Sequence, residues 1–148
     1  MRDMCDGVYV YNKTKESFLA FRVKVADTIW NRLFGLIGKR KLEPDCGLWL
    51  FPANAIHTFG MLIKIDVVLI DKEFKVVGLR ELLRPFRVIR PNFRAESVIE
   101  LPAHTIFKSG TEVGDQLEIQ RYNRKGDSTG GPRAPRAINS SPGTRISA

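Results

Sequence analysis

The sequence predicts an α+β fold: a compact, strand-rich domain, a curved sheet or partly closed barrel covered by one main helix, with a disordered C-terminal tail. Three observations carry that expectation. A period-two strand runs directly into an amphipathic helix near residue 27; short apolar segments then alternate with turn residues as far as residue 122; and the composition changes abruptly after Tyr122. Seven or eight short strands with one helix are the ingredients of a helix packed on a curled sheet.

The elements follow in order. Leu19, Phe21, Val23 and Val25 alternate with Ala20, Arg22 and Lys24, the mark of a strand with one buried face. Asp27 and Thr28 can each accept a hydrogen bond from a first-turn amide, and Trp30, Leu33, Phe34 and Ile37 then form one apolar stripe. Gly38 ends that helix, with Lys39, Arg40 and Lys41 at the negative end of its dipole. Strands are expected over 47–51, 55–59, 66–70, 74–79, 86–89, 97–101 and 116–122, punctuated by Pro52, Gly60, the charged turn Asp71-Lys72-Glu73 and Gly114-Asp115.

A chain of 148 residues suits one domain, here 8–122. Residues 123–148 contain no aromatic side chain and only Ile138 and Ile146 as large aliphatics. Such a segment cannot bury enough apolar surface to offset the entropy of ordering, so a disordered tail is expected. No run of eighteen apolar residues suggests a membrane span, and the start, Met1-Arg2-Asp3-Met4-Cys5-Asp6, lacks the pattern of a secretory signal. A cytoplasmic monomer is the expectation.

The net charge of +8 divides unevenly. Six basic residues and one acid lie from Arg121 onward, which leaves +3 for the body and +5 for the tail. A nearly balanced body predicts at most weak, salt-sensitive and non-specific binding to nucleic acid. Cys5 and Cys46 form no disulfide framework and suit a reducing compartment.

The most distinctive window runs from Ile56-His57-Thr58-Phe59-Gly60-Met61 to Ile65-Asp66-Val67-Val68-Leu69-Ile70. If 55–59 and 66–70 form a hairpin centred between Met61 and Leu62, His57 faces Asp66 across the ladder. A carboxylate beside an imidazole fixes its tautomer and raises its pKa, which prepares a general base or a binding histidine. The plainer reading, which the residue types favour, is that the pair only satisfies backbone amides or each other. Thr58 would point to the opposite face, so no Thr/His/Asp triad forms.

His57, His104 and the two cysteines have no metal-ligand spacing, and Gly35-Leu36-Ile37-Gly38-Lys39 lacks the gap and hydroxyl of a phosphate loop. Neither metal nor cofactor is expected. Between residues 84 and 94 stand Arg84, Arg87, Arg90 and Arg94, with Phe86 and Phe93 among them. Exposed phenylalanines there would offer base stacking; the expectation is that they pack inward while the arginines face water.

The succession Arg32-Leu33-Phe34-Gly35-Leu36, Gly47-Leu48-Trp49-Leu50-Phe51-Pro52, Ile56-His57-Thr58-Phe59-Gly60-Met61, Ile65-Asp66-Val67-Val68, Glu100-Leu101-Pro102 and Gly114-Asp115 resembles the family called domain of unknown function 192, or uncharacterised protein family 0127. The resemblance covers about 18–121. It implies a compact α+β domain rich in strands and no established reaction, and many exported or anchored relatives. The recurring polar or special positions it implies fall on Arg32, His57, Thr58, Met61, Asp66, Glu100 and Asp115. Ala53 stands where relatives often have cysteine, and His104 where a glycine is common.

Three functional expectations follow. The leading one is a non-catalytic binding or accessory module in which Arg32, His57 and Asp66 form a polar cluster that either stabilises the fold or receives a small anionic ligand or peptide. The second is a hydrolase-like enzyme with His57 as general base, Asp66 as its orienting partner and Arg32 stabilising negative charge. The third is weak nucleic-acid binding through 84–94 and the tail.

Overall fold

A computed structural model describes residues 8–26 and 36–121. The expected helix over 27–38 lies outside them except for its end, where Gly38 takes φ 73, the left-handed backbone that suits a glycine stop. The expected tail also lies outside. The described residues form nine strands and one short helix: β1 Val8–Asn12, β2 Ser17–Ala26, β3 Cys46–Leu50, β4 Ile56–His57, β5 Ile65–Ile70, β6 Val76–Leu83, β7 Val88–Ile89, β8 Ser97–Pro102, α1 Thr105–Ser109 and β9 Leu117–Arg121. No helix among them is long and apolar enough to cross a membrane.

Seven strands make one strongly curled sheet in the order β6-β5-β8-β3-β2-β1-β9, and β4 pairs with β7 apart from it. Every pair is antiparallel except β2 with β3, whose parallel pairing requires the long connection that contains residues 27–45. The edge strands β6 and β9 meet at one end, so the curl becomes a half-closed barrel. There Lys75 bridges Gln116, Val76 N donates to Asp115 O at 2.9 Å, and Leu117 N donates to Phe74 O at 2.9 Å.

The sheet is buried on both faces, which explains why β5 is inaccessible along all six residues. One face carries Val10, Val23, Val68, Ile70, Ile99 and Leu101, with Ile106 of α1 packed on it. The other carries Leu48, Leu50, Val67, Leu69 and Val98, and is covered by Leu36, Met61 and Ile89.

Two elements escape the sequence pattern. Strand β1, Val-Tyr-Val-Tyr-Asn, has no clean alternation because it lies between β2 and β9 with Val8, Tyr9 and Val10 all buried. Helix α1 is five residues long, too short to show a periodic stripe.

The expected hairpin between 55–59 and 66–70 is corrected. A strand buried along its whole length is central, and β5 has β6 on one flank and β8 on the other, leaving no edge for residues 55–59. They pair instead with β7, with Ile56 opposite Ile89 and His57 opposite Val88.

Candidate functional site

That change of partner separates His57 from Asp66. The carboxylate of Asp66 is fully buried and accepts from Leu82 N on one oxygen and from Ile106 N on the other, both at 2.9 Å. Leu82 sits at φ 51, a left-handed conformation that costs a leucine about 1–2 kcal/mol. Asp66 thereby ties the irregular end of β6 and the first turn of α1 to the centre of the sheet. His57 is exposed, and its ring lies 5.5 Å from that of Phe59. The orienting carboxylate on which the general-base expectation rests is therefore not beside it.

Asp115 and Glu100 are also buried, for different ends. Asp115 Oδ2 accepts from Asn12 Nδ2 at 2.9 Å and Glu112 N at 2.8 Å, while Asn12 Oδ1 accepts from Thr14 N and Lys15 N. This network locks the barrel where β1 meets β9. Glu100 lies between Leu48 and Val67 in a row whose ends are Lys24 and Arg80. Among the described residues its carboxylate has neither a hydrogen bond nor an ion pair, and burial pushes its pKa up to about 8. Glu100 is thus mainly a neutral acid at neutral pH.

Thr58 is the joint between interior and surface. It is fully buried, on the face opposite His57 as the alternation requires. Its Oγ1 donates to Arg84 O at 2.7 Å and accepts from Arg87 N at 2.8 Å; its backbone N donates to Arg87 O, and its O accepts from Phe86 N. The side chain and both backbone polar groups of one residue thus fix the 84–87 turn. Thr58→Val is expected to lose about 1–2 kcal/mol of stability, because the partly buried Arg87 amide and Arg84 carbonyl lose their partner. Thr58→Ser, which keeps the hydroxyl, should lose less than half of that in urea denaturation.

The fixed turn presents chemistry to solvent. Phe86 is 64% exposed and Phe59 49%, their rings 6.3 Å apart at 62°. Phe93, farther along the segment, is 90% exposed. The expectation that Phe86 and Phe93 pack inward is therefore wrong. Phe86 is displayed by a turn in which its own φ is 59, and the second core cluster is filled instead by Ile89 and Ala95.

Around the same turn, Arg80, Arg84, Arg87 and Arg90 line an open pocket of about 410 Å³, in which Glu81 is the one acid among the described residues. None of the four arginines is in an ion pair among the described residues. A larger pocket of about 680 Å³ contains Lys72 and Arg94 but also Asp71 and Glu96, so its charge is balanced.

Of the residues expected at the site, Met61 is buried in the second core cluster and Arg32 lies outside the described residues. No group of three or more His, Cys, Asp or Glu side chains suited to a metal occurs among those described. Sequence reasoning passed over Phe59 and Arg80. Phe59 did carry a signal, since period-two alternation puts it on the face of His57, opposite Thr58, and Gly60 follows it.

Residues 10–119 match the family DUF192, described as "Uncharacterized ACR". Over 115 residues the chain is 35% identical to a UPF0127 protein of Thermococcus sibiricus, covering 72% of this chain and 71% of that one. It is 31% identical to a UPF0127 protein of Pyrococcus horikoshii, covering 74% and 96%. Two crystal structures share the fold. A protein of unknown function from Novosphingobium aromaticivorans superposes with TM-score 0.66 at 18% identity, over 75% of this chain and 82% of that one. A putative transcription regulator from Sinorhizobium meliloti superposes with TM-score 0.65 at 22% identity, over 76% and 91%.

Proposed function

The chain belongs to the DUF192 family, and within that family we propose that it is a non-catalytic binding module whose β6–β7 side receives an anionic ligand. One observation carries the proposal: four arginines line a single open pocket, and among the described residues no acidic partner is engaged on any of them. Four like charges held together with a single acid, Glu81, among them repel one another, and an anion placed there relieves that repulsion while accepting hydrogen bonds. Guanidinium groups suit phosphate or carboxylate because they donate in a planar fork.

The site differs from the cluster expected from sequence. Asp66 and Thr58 support it from beneath by fixing Leu82 and the 84–87 turn, while the arginines themselves do the receiving. Binding of inorganic tripolyphosphate, measured by calorimetry at low salt, tests the proposal. Arg84→Gln combined with Arg87→Gln is expected to weaken it at least tenfold with no loss of thermal stability, since both side chains are exposed. Unchanged affinity in that variant would refute the assignment.

A further inference from the structure

The anion reading leaves the rings without a purpose. His57, Phe59 and Phe86 follow one another at centroid distances of 5.5 and 6.3 Å, and both phenylalanines are largely open to solvent. Phe86 belongs to the same turn as Arg84 and Arg87, so ring faces and guanidinium groups are displayed by one rigid unit pinned at Thr58. A small inorganic anion would engage the arginines alone. An occupant that uses both carries apolar or flat surface together with negative charge, and nucleic acid supplies these as bases and phosphates alternating along one flexible chain.

We propose that the His57-Phe59-Phe86 ledge and the arginine pocket together bind single-stranded nucleic acid, with bases on the rings and phosphates on the arginines. The inference rests on the anion reading and names its ligand class. Every base has a face that can stack on phenylalanine, so such binding tolerates many sequences. A duplex keeps those faces inside its own stack and should bind less well. Phe93, 90% exposed, and Arg94 repeat the pairing of ring and guanidinium farther along the chain.

The test uses the full chain and fluorescence anisotropy with labelled oligouridylate and oligothymidylate of equal length, each competed with inorganic polyphosphate. Phe59→Ala and Phe86→Ala are the variants, with Phe59→Leu and Phe86→Leu retaining apolar bulk without a ring. The expected result is at least tenfold weaker oligonucleotide binding in the alanine double variant, a loss shared by the leucine double variant, and unchanged polyphosphate binding in both. Because the substitutions leave every charge in place, they separate stacking from the basic tail. Ring-dependent binding of either oligonucleotide supports the inference, and the stronger of the two identifies RNA or DNA as the source.

Oligonucleotide affinity indifferent to the rings would overturn the inference and leave the anion reading intact. Vesicles rich in phosphatidylserine that displace polyphosphate in a Phe59- and Phe86-dependent manner, with no ring effect on oligonucleotides, would overturn it in favour of a lipid surface. Polyphosphate binding that survives loss of Arg84 and Arg87 would remove the anion reading beneath it.

Discussion

Replacing Asp66 with alanine is expected to destabilise the protein by about 3–6 kcal/mol, a large part of the 5–15 kcal/mol that holds a typical domain together. Both carboxylate oxygens are engaged at 2.9 Å, one by Leu82 N and the other by Ile106 N. Alanine would leave the buried Ile106 amide without its acceptor and release Leu82 from a backbone conformation that it adopts at a cost. Asp66→Asn keeps one acceptor and turns an amide group toward the other donor, so roughly half or more of the loss should remain. Urea denaturation of the three proteins measures the effect, and a loss below about 1 kcal/mol for alanine would show that the clamp is not the joint described.

The second large effect belongs to Glu100 and appears only as pH changes. Its pKa in the folded protein, about 8, lies above the ordinary value of 4.5 because burial disfavours the charge. Between those values the folded protein retains a proton that the unfolded chain has released. Stability is therefore fully present below the unfolded pKa and declines as pH rises toward the folded one, by about 5 kcal/mol across the interval. Glu100→Gln removes the titration. Its own burial cost is the same at every pH, so the informative quantity is the difference in slope. From about pH 5 to about pH 8 the parent should lose several kcal/mol more than the variant. Parallel curves would contradict the assignment of a buried neutral acid.

These two residues also show what could be read from the sequence. An acid inside an otherwise continuous apolar run, as Asp66 is in β5 and Glu100 in β8, announces burial with a purpose, and both positions are recurring ones in the resemblance. What each acid touches could not be read, because their environments come from strands and loops distant in the chain. The positions of β2, β3, β5, β8 and β9 were legible from alternation, apolar runs and the turn residues between them. Register was not. A hairpin is the economical reading of two neighbouring strands, but a strand buried on both faces takes partners on both sides, and His57 was left to pair with Val88.

The surface was the least legible part. Phe86 and Phe93 look like core residues in a linear string, and their exposure depends on a turn fixed by Thr58 and on Ile89 and Ala95 having filled the cluster beneath. The arginines did read correctly as facing water, but their convergence on one pocket with Arg80, from the preceding strand, is a property of the fold. Thr58 was expected only to point away from His57, and that orientation is what makes it the staple of the site.

The central claim is that one face, built on the β4–β7 pair and the end of β6, receives an anionic chain. Titrating the isotope-labelled full-length protein with oligouridylate while recording amide chemical shifts tests it most directly. Concentration-dependent shifts should cluster at His57, Phe59 and the amides from Arg80 to Arg90, with little change at β1, which among the described residues pairs only with β2 and β9. Shifts confined to residues 123–148, or spread evenly over the barrel, would contradict it.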